Sequence, residues 1–323
     1  MQIAIAALCA FFLSVGAASA QPAAFPNKPV TMVVGWAPGG IVDVVGRLLA
    51  SKLTEMWGQQ VLIDNRPGAT GAIGNGIAAR ATPDGYTLAM VSSPEVTVIG
   101  YQTATSPKYF EGQLKPVLLV SSSPMALVGQ PTGPIQSVAD LVSEAKAHPG
   151  HVSYSSAGVG SINQLAGETF SRAANIKLKH IPYKGGAPAA VAVASGETNV
   201  GMLVLGPAMS LVNAGKIKVL GVASATRIPP YLNYPTIAEQ GFSGFQIGMW
   251  TAVFAPEKTP DAVLKKIEAD CRKVLADPEV VKQLEALGAA PGTAVTVSQF
   301  EQQIKSEIET NKKILQTINA KSQ

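Results

Sequence analysis

Cysteine, histidine and charge are all scarce in this chain. Its two cysteines are Cys9, in an N-terminal apolar run, and Cys271, in a Lys/Glu-rich helical stretch. If the N-terminal run is removed, Cys271 is left without a disulfide partner and reads as a small apolar residue on a helix. Three histidines (His148, His151 and His180) with no cysteine near them make no structural zinc site, so no metal is expected. Charged residues are 14% of the chain, its net charge is +4, and the basic residues are dispersed. Without a Lys/Arg stripe interleaved with aromatics, nucleic acid is not an expected partner.

Signatures of catalysis are missing as well. There is no G-x-S-x-G elbow, no G-x-x-x-x-G-K-[ST] loop, no H-E-x-x-H and no EF-hand loop. Gly71-Ala-Ile-Gly74-Asn-Gly76 has the wrong spacing for a dinucleotide loop, and Ser143-Glu-Ala-Lys146 lies mid-helix without its S-D-N or K-T-G companions. His148 and His151 flank a Pro-Gly turn, and His180 reads as a strand residue. No general base stands out, so no catalytic residue and no cofactor is expected.

The N-terminus indicates the compartment. Ile3 to Val15 is a near-continuous apolar run, followed by Gly16-Ala17-Ala18-Ser19-Ala20 and Gln21. The run is shorter than the roughly 20 residues of a spanning helix, and small residues at an A-x-A position suit a signal peptidase. Removal of residues 1–20 after Ala20 and export to the periplasm are expected, although Met1-Gln2 carries no basic side chain. A lipoprotein reading of Cys9 fails because Leu8 stands where a small residue is needed.

Past Gln21, short apolar runs alternate with helical patterns. Strands are expected at Pro29–Val34, Val61–Ile63, Thr87–Val91, Pro116–Val120, Met125–Val128, Val152–Ser156, Val200–Leu205, Ile217–Val222 and Thr251–Pro256. Helices are expected at Ile41–Trp57, from Ser137 to Ala147, at Ser161–Ala174, Pro188–Ser195 and Pro207–Ala214, and from Thr259-Pro260 onward. A last helix is expected at Ser298–Ala320, capped by Ser298 and Glu301. This order predicts an α/β fold of two lobes, each with a mostly parallel sheet and with a ligand cleft between them. The first lobe comprises residues 21–123, the second 124–247, and 248–323 returns to the first with the C-terminal helices.

Ligand chemistry concentrates where strands end and helices begin. Trp36-Ala37-Pro38-Gly39-Gly40-Ile41-Val42 joins a strand to a helix; its glycines allow close backbone approach, and the helix start suits a carboxylate. A plain turn is the competing reading, and Asp43 is expected to be structural because it would repel an anion. Ser156-Ala157-Gly158-Val159-Gly160-Ser161 is a second such loop, in which Ser161 with Gln164 fits a capping box that would occupy its hydroxyl. Ser92-Ser93 and Lys184-Gly185 are two more, and Gly206 and Asn163 complete the candidate set.

Several of these segments, taken in order, resemble the Bug receptors, the extracytoplasmic solute receptors of tripartite tricarboxylate transporters. They are Val33 to Asp43 with Arg47, Asp64 to Ala69, Pro83 to Leu88, Ser155 to Gly160, His180 to Gly185, Pro235-Thr236 to Trp250, and Ala255-Pro256. The resemblance implies a type II periplasmic-binding-protein fold. It also implies that the loops at Trp36–Val42 and Ser156–Ser161 grip a small carboxylate, largely through backbone amides and water. A monomer that hands its ligand to the transporter's membrane subunits would follow. Three features depart from the family pattern: Ile41-Val42 follows Gly40 where a small or hydroxyl residue is usual, Asn163 replaces a histidine, and Trp36 replaces phenylalanine or tyrosine. The stretch Val96–Gln113 also fits poorly. The departures suggest a ligand with an apolar or aromatic body. An exported hydrolase using Ser92 or Ser156 and a receptor signalling to a membrane kinase are the alternatives.

Overall fold

A computed structural model describes residues 25–98, 106–159, 161–229 and 231–321. The expected signal segment, residues 1–20, and the candidate Gly160 lie outside the described residues. The first half opens with β1 (Val30–Val34), α1 (Ile41–Trp57), β2 (Val61–Asn65), α2 (Ala72–Ala79), β3 (Thr87–Ser92) and α3 (Ser93–Thr97). The long strand β4 (Leu114–Gly129) then leads into α4 (Val138–Ala147), β5 (Ser153–Ser156), α5 (Ile162–Ala173) and β6 (Lys179–Pro182). Next come α6 (Gly186–Ser195), β7 (Val200–Val204), α7 (Leu205–Asn213) and β8 (Lys218–Val222). The chain returns through β9 (Gly248–Pro256) to α8 (Asp261–Leu275), α9 (Pro278–Ala286), β10 (Ala290–Pro291) and α10 (Val297–Lys321).

Alternation along the strands builds the layers. In β1, Met32 and Val34 join the core formed with α1 and α8, while Val33 faces the core with α2 and α10. Strands β3 and β9 split the same way: Leu88, Met90, Val253 and Ala255 face one side, Ala89, Val91, Ala252 and Phe254 the other. The second half repeats the arrangement, with Met125, Leu127 and Tyr154 facing α4 and α5, and Ala126, Val128 and Leu203 facing α6 and α7. Burial on both faces explains why the strands read as continuous apolar runs rather than as alternating ones.

Pairing runs in the order β2-β1-β3-β9-β4-β7-β5-β6, with β8 and β10 added on β4. The expectation of mostly parallel sheets needs correction. Parallel ladders join β1 to β2 and β3, and β5 to β6 and β7, but every ladder of β4 or β9 is antiparallel. The strands that carry the chain between the halves run against those that build them.

Two expected strands around Ser121-Ser122-Ser123-Pro124 are one. Residues Leu114 to Pro124 pair with β9, and from Met125 onward the same strand pairs with β7 and β8. The switch occurs at a proline, which has no N–H to give to a ladder. The buried Ser121 hydroxyl is satisfied by Thr251 on β9, at 2.8 Å. Gly248 closes the return crossing; a Cβ there would stand 2.9 Å from the Ser123 carbonyl oxygen.

This crossing orients the loops. The end of β3, Ser92, registers with Thr251, and Thr251 with Ser121. The end of β7, Val204, registers with Met125. The carboxyl edges of both halves therefore converge on the point where β4 changes partners.

The helix ends show smaller differences. Ser137 caps α4 as expected, its hydroxyl accepting from the Asp140 N–H. The cap of α10 is not Ser298–Glu301 but Thr296–Gln299: the Gln299 N–H donates to the Thr296 hydroxyl, and the Thr296 N–H to the Gln299 side chain. Helix α10 also packs more widely than on the first half alone. Phe300, Ile304 and Ile308 join the core around Trp250 and Phe254, while Ile314 and Leu315 join that of the second half. Cys271 is buried on α8, where burial pushes its thiol pKa upward. No described helix is long and apolar enough to cross a membrane.

Candidate functional site

The helix starts on the converging edges differ in whether their own side chains cap them. At α1 the cap residue is Gly40, which has no side chain to offer, and the first helical bond runs from the Val44 N–H to the Gly40 carbonyl. The N–H groups of Ile41, Val42 and Asp43 therefore precede the helical ladder. Ala37, Pro38, Gly39 and Gly40 are exposed. An anion docked there meets unpaired donors and the positive end of the helix dipole.

Asp43 holds this loop in shape. It is 2% exposed and accepts from the Gly39 N–H at 2.9 Å, from Arg47 Nε at 3.0 Å and from Asn65 Nδ2 at 2.9 Å. Asn65 also donates to the Trp36 carbonyl at 3.1 Å. Burial works against the charged carboxylate, but the bonds from Arg47, Gly39 and Asn65 together hold its pKa below the ordinary 3.8. Its contribution to stability is therefore present above that value and lost as pH falls through the lower folded value. Asp43→Ala is expected to cost about 2 kcal/mol or more at neutral pH. Urea unfolding from pH 7 to pH 3 should show the gap between wild type and variant closing in acid.

The second loop is already occupied by itself. The Ser161 hydroxyl accepts from the Gln164 N–H at 3.2 Å and donates to the Gly158 carbonyl at 2.7 Å, so it caps α5. Asn163 is buried, and its amide donates to the Met202 carbonyl at 2.6 Å. Ala157 and Gly158 are half-buried, and Val159 is exposed. Ser92 is equally committed, donating to Glu95 at 2.6 Å, and the Ser93 hydroxyl accepts from the Trp250 N–H at 3.3 Å. Lys184 is exposed, and Gly185 begins α6 without a side-chain cap. Helix α7 is also uncapped, but Gly206 in its first turn is pressed against Gly288, whose Cα lies 2.7 Å from where a Gly206 Cβ would be. Of the candidate loops, those at α1 and α6 keep uncapped, accessible helix starts.

Two groups missed from sequence stand behind these loops. Glu95 receives the Trp36 indole N–H at 2.8 Å; Ser92-x-x-Glu95 was legible as a capping box and forms one here. His180 Nε2 lies 2.6 Å from Ser156 Oγ and its ring stacks on Tyr154 at 5.0 Å. Burial pushes the His180 pKa down, with Glu168 opposing. This is the base that a Ser156 hydrolase would need. However, Ser156 is fully buried, and its hydroxyl also accepts the Gly158 N–H at 3.1 Å, which leaves no path for a substrate to it.

Comparison with known proteins identifies the family. The family profile described as "Tripartite tricarboxylate transporter family receptor" matches residues 45–320. BugT of Bordetella pertussis is 32% identical over 268 residues, 83% of this chain and 82% of BugT. The structure of Rpa4515 of R. palustris with adipate superposes with a TM-score of 0.72 at 30% identity, covering 91% of this chain and 98% of that one. MatC of Rhodopseudomonas palustris with bound malate gives a TM-score of 0.70 at 27% identity, covering 90% and 100%. The two-lobed α/β fold of periplasmic binding proteins, the Bug-type sequence segments and the matched profile lead to one conclusion: this chain belongs to the receptor family of tripartite tricarboxylate transporters.

Proposed function

We propose that the protein is a periplasmic solute-binding receptor that captures a small organic carboxylate in the cleft and delivers it to the membrane subunits of a tripartite transporter. The observation that carries this reading is the uncapped, exposed start of α1, held in shape by Asp43 and Asn65. The lobes would divide at Pro124 and Gly248, where β4 and β9 cross, and close on the ligand from either side. A ligand that favours the closed form shifts the population toward it. The protein performs no chemistry of its own in this reading; its family is one of receptors.

Trp36 and Ile41 both pack half-buried against the core of the first half. That packing accounts for their apolar character without an apolar ligand. Because relatives hold adipate and malate, short aliphatic dicarboxylates are the first candidates. The test is a thermal-shift panel of aliphatic and aromatic mono- and dicarboxylates on residues 21–323. A ligand at 100 times its dissociation constant stabilises the folded form by about 2.7 kcal/mol. A shift confined to one class identifies the ligand chemistry, whereas no shift with any acid removes the carboxylate reading.

A further inference from the structure

Each of the chain's three tryptophans gives its indole N–H to a carboxylate: Trp36 to Glu95, Trp57 to Asp270 and Trp250 to Glu307. Asp270 has Lys266 and Lys273 beside it to balance its charge. Among the described residues no ion pair to Glu95 is seen. It is 3% exposed, and its bonds come from Trp36 Nε1, the Ser92 N–H and hydroxyl, and Asn75 Nδ2. The surrounding backbone is shaped to admit this carboxyl. A Cβ on Gly71 would stand 2.3 Å from Oε1, and one on Gly35 would stand 3.1 Å from it.

Trp36 is the first residue of the loop that leads to the open start of α1. Its carbonyl is held by Asn65, and Glu95 holds its indole. We propose that Glu95 is the positioning residue of the carboxylate cradle: by holding the Trp36 indole it fixes the path of residues 36–42. The inference rests on the carboxylate reading above.

The electrostatics give the direction. Burial pushes the Glu95 pKa above its ordinary 4.5, against the bonds from Ser92, Trp36 and Asn75. Titratable groups on the described elements around it include Asp43 on α1, joined to the same loop through Gly39, Glu307 on α10, held by Trp250, and Arg80 and Tyr109 beside Gly76 of α2. None of them bonds to Glu95. For the protein alone, the stability that protonated Glu95 confers is full below 4.5 and lost as pH rises through the folded value. Glu95→Gln removes that part of the pH profile.

The deciding experiment uses the ligand-free protein first. Indole ¹⁵N spectra and amide hydrogen exchange are recorded for wild type, Glu95→Gln and Trp36→Phe. Expected are a Trp36 indole signal that titrates in wild type and not in Glu95→Gln, and undisturbed Trp57 and Trp250 signals. Exchange of the Gly39 amide, which Asp43 holds, should be about tenfold faster or more in both variants, as loss of one hydrogen bond behind the loop implies. Unchanged exchange at that amide would overturn the positioning role, and Trp36→Phe decides it if Glu95→Gln does not fold. Calorimetry with adipate then reads affinity, expected to be about tenfold weaker in both variants than in wild type. Equal affinity in all three would overturn the cradle role. No heat with adipate in wild type would instead count against the carboxylate reading, and the exchange data would still decide the role of Glu95.

Discussion

Gly40→Asp is expected to weaken carboxylate capture about 100-fold or more while leaving the fold at least as stable. Gly40 caps α1 with ordinary extended backbone, φ −73° and ψ 163°, and a Cβ there meets only the Ala37 carbonyl oxygen, at 3.6 Å. An aspartate at this position accepts the N–H groups that await the ligand and sets its own charge on the helix dipole. Relative to glycine, that cap is worth a few tenths of a kcal/mol, with about 0.3–1 kcal/mol more from the dipole. The ligand loses bonds to a charged group worth about 1.5–3 kcal/mol each, so affinity should fall about 100-fold or more. Gly40→Ala, which fits the same space without supplying an acceptor, should bind nearly as wild type. Melting curves of the three proteins with and without adipate separate the effects. A normal ligand shift in Gly40→Asp would show that the carboxylate does not sit at α1.

Gly288→Ala is expected to be the most damaging small substitution. The residue follows α9 with φ 72°, and its Cβ would stand 2.0 Å from the Gly206 Cα and 2.5 Å from the Tyr231 hydroxyl. The left-handed backbone costs a non-glycine residue about 1–2 kcal/mol, and overpacking adds about 1–3 kcal/mol. A loss of roughly 3 kcal/mol in urea unfolding should result. The contact joins α7 of the second half to the segment that leads into β10 on the first, so ligand affinity should fall with stability. A variant as stable as wild type would mean that the two glycines are not in contact in solution.

Much of the fold was legible because its causes are local or periodic. The helix Ile41–Trp57 and the Ser137 cap follow from residues within a few positions of each other, and the buried strands from their apolar runs. The single strand β4 was not, because Ser121-Ser122-Ser123-Pro124 has every local mark of a break. What keeps it extended is β9, more than a hundred residues later, pairing through Pro124 and satisfying Ser121 with Thr251. Helices α3 and α9 were missed because five and nine residues show too little periodicity. The cap of α10 was misplaced by two residues, since Ser298–Glu301 and Thr296–Gln299 match the same pattern and only the backbone path chooses.

The candidate site divides along the same line. Sequence alone determined that glycine- and serine-rich loops lie between strand ends and helix starts, because side-chain period and turn residues are properties of neighbours in the chain. It also determined the family, since the ordered segments from Val33 to Pro256 are specific. Only the tertiary structure decided which loops remain open to a ligand. Ser161 and Ser92 could have faced the cleft or their own helices, and the geometry commits both to their helices. Glu95 beneath Trp36 and His180 beside Ser156 are contacts between residues 59 and 24 positions apart. Such pairings are set by which strands lie side by side, and strand order is a property of the whole packed chain.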